Sequence, residues 1–187
     1  MNYGNIKECS TENGPGVRVS LFVSGCRHHC KGCFSQQTWS FDYGDKYTAE
    51  TKNRIIQLLS PTYVAGLTIL GGEPFEPENT PEVLELVKLV RETFGSTKTI
   101  WMYSGFTFGE LYSRDDARDI LQEIDVLIDG PFVEKERNIT LSFRGSENQR
   151  IIDVQKTLEC PFTEGGKSKV TLCEQYMNRS SELVRKD

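Results

Sequence analysis

The amino-acid sequence predicts an α/β fold whose strands are mainly parallel. Apolar runs of strand length alternate along the chain with segments of helical periodicity. A length of 187 residues suits one compact unit but is short for a closed eight-unit barrel. Because crossovers join parallel strands, the loops after the strands share one edge of the sheet, and a functional site is expected there.

The first strand and the first helix are marked by their flanking residues. The turn sequence NGPG precedes the apolar run VRVSLFV at 17–23, which ends directly at a cysteine-containing loop. A helix is predicted over 49–59, where apolar residues recur at helical spacing and Thr48 is a suitable N-cap.

The second unit has the clearest boundaries. GLTIL at 66–70 is typical of a buried strand, and the glycine- and proline-rich loop GGEPFEPEN follows it. The next helix is predicted to begin at Thr80, with Pro81 at its first helical position and Gly95 as its stop.

Two more strands are predicted at 98–105 (KTIWMYSG) and 125–130 (DVLIDG). Between them, a capping-box pattern at Thr107 opens a helical stretch that runs to about Gln122. The segment RIIDVQ at 150–155 is a candidate for a last strand.

Charge and hydropathy argue against two classes of partner. The formal net charge of −5 gives no electrostatic basis for binding nucleic acid. No stretch approaches the roughly 18 apolar residues of a membrane span, and the N-terminus lacks a secretory signal. We therefore expect a cytoplasmic protein that binds neither nucleic acid nor membranes.

The loop GCRHHCKGCF at 25–34 places Cys26, Cys30 and Cys33 close together. A structural zinc site would need a fourth ligand, either a histidine of this loop or a distant cysteine. Alternatively, the three thiolates hold three irons of a 4Fe-4S cluster and leave the fourth iron open to a substrate. The spacing alone leaves both possibilities open.

The loop GGEPF at 71–75 is the second motif. Gly71 and Gly72 permit close approach of the backbone, and Glu73 supplies an acceptor for an ammonium group. Taken alone, the motif fits a solvated glycine turn equally well. Its position one crossover after the cysteine loop favours cofactor binding.

The C-x3-C-x2-C spacing and the GGEP loop together resemble the radical S-adenosylmethionine superfamily. The blocks WMYSGF, DVLIDGPF and RGSENQR extend the resemblance to activating proteins of anaerobic ribonucleotide reductases, over residues 1–155. The resemblance implies an open partial (βα) barrel with parallel strands. We expect 1–155 to be the activating domain and 156–187 a C-terminal extension.

The resemblance also implies a set of site residues. The metal ligands of the 4Fe-4S cluster would be Cys26, Cys30 and Cys33. The residues placed at S-adenosylmethionine would be Gly32, Cys33, Phe34, Gly72, Glu73, Ser104 and Asp129. From position alone, Ser104 and Asp129 are equally well explained as a strand-end cap and a turn aspartate. Hydrogen abstraction needs no side-chain acid or base, so no catalytic residue is expected beyond the cluster and cofactor.

The activity implied by the resemblance is glycyl-radical formation. The reduced cluster would cleave S-adenosylmethionine, and the resulting 5'-deoxyadenosyl radical would take hydrogen from a glycine in the large subunit of the reductase. An electron donor such as flavodoxin is implied. The alternatives are an activase of another glycyl-radical enzyme, such as pyruvate formate-lyase, or a non-enzymatic zinc-binding module.

Some side chains beside the motifs have simpler expected roles. His28 and His29 are predicted to lie on the loop surface. Trp101, Tyr103, Phe106 and Phe108 are candidates for a surface that stacks on adenine. For Trp101 and Tyr103, which lie in a predicted strand, a position in the core is favoured instead.

The remaining predictions concern arginines and cysteines outside the motifs. Arg144 and Arg150 either order the RGSENQR loop or contact the partner. Cys9 is predicted to be a small buried residue near the first strand. Cys160 and Cys173 are not expected to form a metal site.

Overall fold

A single mixed sheet organises the protein; helices cover one of its faces, and the short helix that contains Tyr176 packs on the other. The structure, a computed structural model, describes residues 1–159 and 170–177. Within these ranges the strands are β1 (Asn2–Ser10), β2 (Val17–Val23), β3 (Asp45–Lys46), β4 (Val64–Gly71), β5 (Thr99–Tyr103), β6 (Val126–Asp129), β7 (Arg150–Asp153) and β8 (Thr171–Leu172). The α-helices are α1 (Ala49–Leu59), α2 (Thr80–Phe94), α3 (Phe108–Tyr112), α4 (Asp115–Glu123), α5 (Val154–Glu159) and α6 (Glu174–Met177).

The centre of the sheet is parallel, as the sequence predicts. Strands β2, β4, β5 and β6 are neighbours in that order, and each pairs in parallel with the next. These four strands correspond to the four predicted at 17–23, 66–70, 98–105 and 125–130. Their C-terminal ends therefore share one edge of the sheet.

Both flanks of the sheet are antiparallel. Strands β1 and β3 continue the sheet beyond β2, and β7 and β8 continue it beyond β6. No α-helix lies between β6 and β7, so the chain returns in the opposite direction instead of crossing over. In the described ranges the two edge strands, β3 and β8, do not pair with each other, and the sheet is open.

The helices begin where local chemistry requires. Helix α1 starts with a capping box in which the Thr48 side chain accepts a hydrogen bond from the Thr51 backbone N–H. Helix α2 has proline in its first turn, and Gly95 follows its last residue. The predicted helix from Thr107 to about Gln122 is instead divided into α3 and α4, although its predicted capping box at Thr107 is present.

The main core lies between the sheet and these helices. Residues on one face of β2, including Leu21, pack with Ile55 of α1 and Val87 of α2, and all three are fully buried. Side chains alternate along a strand, so Arg18 and Ser20 of β2 lie on the opposite face of the sheet. We call this face, which also carries Trp101 and Tyr103, the inner face.

Aromatic side chains cover part of the inner face. Trp101 is buried, as predicted, and contacts Phe143 and Tyr176 with ring centroids 5.5 and 5.4 Å away. Tyr176 belongs to the segment 170–177, which therefore packs on the sheet. Within the described ranges, no helix combines the length and apolarity that crossing a bilayer requires.

Arg18 is fully buried on the inner face and links three strands. Its guanidinium donates to the Thr68 hydroxyl at 2.7 Å, to the Leu67 carbonyl at 2.7 Å and to the Thr99 hydroxyl and carbonyl at 2.9 Å each. Burial lowers its pKa to about 10. This cation is solvated by protein oxygens in place of water.

We predict that Arg18→Ala lowers the free energy of unfolding by about 3 kcal/mol, because it leaves several buried oxygen acceptors without donors. Urea unfolding of the purified protein would measure the change. As a control, Arg54→Ala removes an exposed ion pair with Glu8 and should change the same free energy by less than about 1 kcal/mol. Equal effects of the two substitutions would contradict this account.

Candidate functional site

One cavity of about 690 Å³ lies where the parallel strands end. The loops after all four parallel strands contribute to its wall, as the sequence predicts for a functional edge. The lining includes Cys26, Cys30 and Cys33 after β2, Gly72 and Glu73 after β4, Ser104 and Gly105 after β5, and Gly130 and Phe132 after β6. Its volume is within the range of cavities that bind cofactor-sized molecules.

The cysteine loop brings three thiols to the same cavity. Cys26 is buried, Cys30 and Cys33 are half-buried, and the Cys33 backbone N–H donates to the Cys30 carbonyl at 3.1 Å. Gly32 completes this turn with a φ of +76°. Burial raises the pKa of the Cys26 thiol to about 11 and also raises the pKa of Cys30. Binding of a cation favours the thiolate form of a cysteine.

No single-ion site is preassembled among the described residues. There, no three histidine, cysteine, aspartate or glutamate side chains are grouped closely enough to hold one metal ion.

Phe34, next to Cys33, is exposed at the mouth of the cavity and meets Phe132 edge-on, with ring centroids 5.9 Å apart.

A buried carboxylate anchors the cysteine loop. Glu76, in the loop after β4, accepts from the Arg27 backbone N–H at 2.8 Å and from the Arg27 guanidinium at 2.6 Å. The same guanidinium lies over the Phe41 ring and binds exposed Glu78. Arg27 directly follows Cys26, so Glu76 fixes the backbone beside the first thiol.

The two loops that carry the motifs are also joined by their backbones. The Gly72 N–H donates to the Val23 carbonyl and the Glu73 N–H donates to the Gly25 carbonyl, each at 2.8 Å. A Cβ atom at Gly72 would lie 2.5 Å from the Gly25 carbonyl oxygen, so this position requires glycine. The glycine of the motif is explained by contact between protein segments.

The Glu73 carboxylate, at the wall of the cavity, takes part in four hydrogen bonds. It is buried, and its Oε1 accepts from the Phe75 backbone N–H and the Ser104 hydroxyl, both at 3.0 Å. Its Oε2 accepts from the Gly105 backbone N–H at 2.7 Å and lies 3.0 Å from His28 Nε2. A carboxylate has no proton to donate, so the imidazole N–H is the donor.

The predicted surface position is correct for His29 and wrong for His28. His29 is exposed and stacks on Trp39. The His28 side chain is only 19% exposed, lines the cavity and meets the Phe106 ring edge-on. Its hydrogen bond to Glu73 raises the pKa of His28. No local pattern predicts this contact, because Glu73 lies 45 positions further along the chain.

Ser104 and Asp129 have different placements at the ends of their strands. Ser104 lines the cavity, and its hydroxyl donates to Glu73 and accepts from the Phe106 backbone N–H. Asp129 is not among the cavity-lining residues of the described chain. Its buried carboxylate accepts from the Phe108 backbone N–H at 2.7 Å and forms an ion pair with Arg150.

Burial separates two of the aromatic residues that are candidates for stacking on adenine. Phe108 is fully buried in the main core. Tyr103 is half-buried at the end of β5, where its ring lines the cavity and its hydroxyl donates to the Phe143 carbonyl at 2.7 Å. The prediction of a simple core role for Tyr103 is therefore incomplete.

Arg144 orders the loop between β6 and β7. Its guanidinium donates to the carbonyls of Glu147, Gln149 and Met177, the last of which lies in the C-terminal described segment. This matches the first of the two roles expected from the sequence, as does the ion pair of Arg150 with Asp129.

The two described cysteines outside the loop, Cys9 and Cys173, do not line the cavity. Cys9 is exposed in β1, so the prediction that it is buried is wrong. Cys173 is buried against the inner face near Ile151. Cys160 lies outside the described residues.

Comparison with known proteins gives the class of this site. A family model described as a 4Fe-4S single cluster domain matches residues 12–152, which contain all four cavity loops. The chain therefore carries a single-cluster iron–sulfur domain, and the expectation of a 4Fe-4S cofactor is confirmed.

Relatives named anaerobic ribonucleoside-triphosphate reductase-activating protein cover most of the chain. The protein of Vibrio cholerae is 44% identical over 153 residues, which are 81% of this chain and 97% of the relative. That of Haemophilus influenzae is 40% identical over 153 residues, with the same coverage, and that of Escherichia coli is 37% identical over 151 residues, 80% and 96% of the two chains. This chain belongs to the anaerobic ribonucleoside-triphosphate reductase-activating protein family. Membership of this class of activating enzymes implies S-adenosylmethionine as a cofactor.

We predict that Glu76→Ala accelerates the loss of iron from the reconstituted protein to a chelator by about tenfold, because a charge-assisted hydrogen bond no longer fixes the backbone after Cys26. Chelator absorbance under anaerobic conditions would follow the release. Glu78→Ala, which removes only an exposed partner of the same arginine, should leave the rate within about twofold of wild type. Similar rates for Glu76→Ala and wild type would show that Glu76 does not hold the loop.

Proposed function

We propose that this chain activates an anaerobic ribonucleotide reductase by installing a glycyl radical in the large subunit of that enzyme. The observation that carries the proposal is the meeting of three thiols and the buried Glu73 carboxylate at one cavity. Family membership supports the identity of the partner, since the relatives are named as reductase-activating proteins.

The donor groups of the cavity fit a 4Fe-4S cluster and S-adenosylmethionine. Cys26, Cys30 and Cys33 are the cluster ligands in this proposal, and soft thiolates are the ligands that such clusters require. When bound, the cluster and S-adenosylmethionine supply the one-electron chemistry that removes a hydrogen atom from glycine. The role of the chain is to bind, orient and shield them.

The loop after β4 is the proposed place of the methionine end. Gly72 allows the backbone to lie against the cysteine loop, and Glu73 offers its carboxylate to the ammonium group. Ser104 fixes one oxygen of that carboxylate through its hydroxyl. The methionine amino group would therefore be held beside the cluster ligands.

Three other residues complete the proposed site from its edges. Gly32 shapes the turn between Cys30 and Cys33, and Phe34, which lines the cavity, would cover the cofactor when it is bound. Asp129 acts through the Phe108 backbone N–H, which fixes the start of α3 next to the loop after β5.

We propose that the parallel strands and the cavity form an open partial (βα) barrel of the radical S-adenosylmethionine type. The open sheet supports this, because a glycine of another protein needs an unobstructed side through which to reach the cavity. Residues 1–155 are proposed as the activating domain and 156–187 as an extension. The proposal includes a cytoplasmic location, an electron donor such as flavodoxin, and no binding to nucleic acid or membranes.

Removing any one cluster ligand should abolish the activity. We predict that Cys26→Ala, Cys30→Ala and Cys33→Ala each eliminate glycyl-radical formation, because an incomplete set of thiolates does not retain a 4Fe-4S cluster. Electron paramagnetic resonance of the reductase would measure the radical. Cys9→Ala, which changes an exposed thiol outside the cavity, should retain wild-type activity.

The same spectroscopy separates the proposal from its alternatives. The wild-type protein, reconstituted and reduced, should show a cluster signal that changes shape when S-adenosylmethionine is added. A zinc-containing protein without sulfide would contradict the proposal. Radical formation in pyruvate formate-lyase but not in the ribonucleotide reductase would contradict the choice of partner.

Glu73 should be required for cofactor affinity. We predict that Glu73→Gln weakens binding of S-adenosylmethionine roughly tenfold to a hundredfold, because the amide loses the charge that strengthens the hydrogen bond to the ammonium. Calorimetry on the reconstituted protein would give the dissociation constants, with the iron content checked in each sample. Glu12→Gln is the control, since Glu12 lines the same cavity but is paired with Lys7. An unchanged Glu73→Gln affinity would contradict the assignment.

A further inference from the structure

Every acceptor position of the Glu73 carboxylate is already used by the protein. The two oxygens together receive four hydrogen bonds, from the Phe75 and Gly105 backbones, the Ser104 hydroxyl and the His28 ring. A carboxylate has about four such positions, two on each oxygen. An ammonium group that binds Glu73 must therefore displace one of these donors.

Three of the four donors are fixed. Two are backbone N–H groups, and the third, the Ser104 hydroxyl, also accepts from the Phe106 N–H and is 5% exposed. His28 differs, because its ring lies at the cavity wall and reaches Glu73 from the cysteine loop. A change of side-chain rotamer is enough to release it.

The ring of His28 also occupies space against the loop after β5. It packs edge-on against Phe106, and a Cβ atom placed on Gly105 would lie 2.5 Å from its Cδ2 atom. The imidazole thus covers both the Glu73 oxygen and the adjacent backbone.

We propose that His28 is a displaceable substitute for the amino group of S-adenosylmethionine: it satisfies Glu73 in the cofactor-free protein and is expelled when the cofactor binds. The inference rests on the proposed function, in which Glu73 binds that amino group. His28 thus competes with the amino group for one acceptor position of Glu73, while the other three donors hold the carboxylate in place.

The position of His28 between Cys26 and Cys30 gives the exchange a structural consequence. When the imidazole leaves Glu73, the cysteine loop loses its side-chain contact with that carboxylate but keeps its anchor at Glu76. Binding of the cofactor is thereby linked to the freedom of the segment that holds the thiols. The net affinity of the chain for the cofactor is then reduced by the free energy needed to break the imidazole contact.

Two probes that differ in the amino-acid moiety test the proposal. S-adenosylhomocysteine has the amino group and lacks the reactive sulfonium, whereas 5'-methylthioadenosine lacks the amino acid. We expect His28→Ala to lower the dissociation constant of S-adenosylhomocysteine about three- to tenfold, the equivalent of one net hydrogen bond, and to leave that of 5'-methylthioadenosine unchanged. Calorimetry on anaerobically reconstituted protein with matched iron content gives both constants.

Two further variants control for packing and for the loop. His28→Asn has a shorter side chain that does not reach Glu73, and it should strengthen binding of S-adenosylhomocysteine in the same direction as His28→Ala. His29→Ala changes the neighbouring exposed histidine and should alter neither constant.

Each remaining outcome is decisive. An unchanged or higher dissociation constant for S-adenosylhomocysteine in both His28 variants would overturn the displacement, as would an equal strengthening for both probes, which would indicate only additional room. A wild-type protein that retains its cluster but does not bind S-adenosylhomocysteine would instead refute the proposed function, together with this inference.

Discussion

The backbone hydrogen bonds between the loops after β2 and β4 are the constraint on which the cavity depends. The parallel pairing of the two strands ends at Val23 and Gly71, and two further hydrogen bonds continue it into the loops. Because these bonds join backbone atoms, the thiol-bearing segment and the segment with Glu73 keep a fixed separation. The side-chain contacts of Glu76 and His28 reinforce this arrangement.

Buried charges are surrounded by protein dipoles at two places, on the inner face and in the loop after β4. Arg18 is surrounded by carbonyl and hydroxyl oxygens, and Glu73 is surrounded by N–H and hydroxyl donors. Each group is paired mainly with protein dipoles, which are permanently oriented. The two groups differ in their accessibility to a ligand. Arg18 has no exposed surface, whereas Glu73 lies at the cavity wall and one of its donors, the His28 ring, is able to move.

The elements with strong local patterns were predictable from sequence. Apolar runs identify the four parallel strands, the capping residue Thr48 locates the start of α1, and Pro81 locates the start of α2. Strand β1 was missed because most of its side chains are polar or partly exposed and its pairing with β2 is set by tertiary contact. The antiparallel direction of β7 is likewise not predictable, because the pattern of RIIDVQ indicates a strand but not its orientation relative to β6.

The site divides in the same way. Spacing and position at strand ends led to the three cysteines, Gly72, Glu73 and Ser104, all of which line the cavity. The contacts of His28 and Glu76 join residues far apart in the chain, so no local sequence pattern contains them. Asp129 has the expected place at the end of β6, but its orientation depends on Arg150, which the next strand supplies.

Protein contacts hold the backbone of the cysteine loop along much of its length. Backbone bonds from Gly25 to Thr38 and from Cys26 to Trp39, together with the Glu76 contact, hold the loop through protein atoms alone. A zinc finger, in contrast, folds only when its metal binds. These contacts set the path of the cysteine-loop backbone through protein atoms, so the separation of Cys26 from the Glu73 loop is a property of the polypeptide itself.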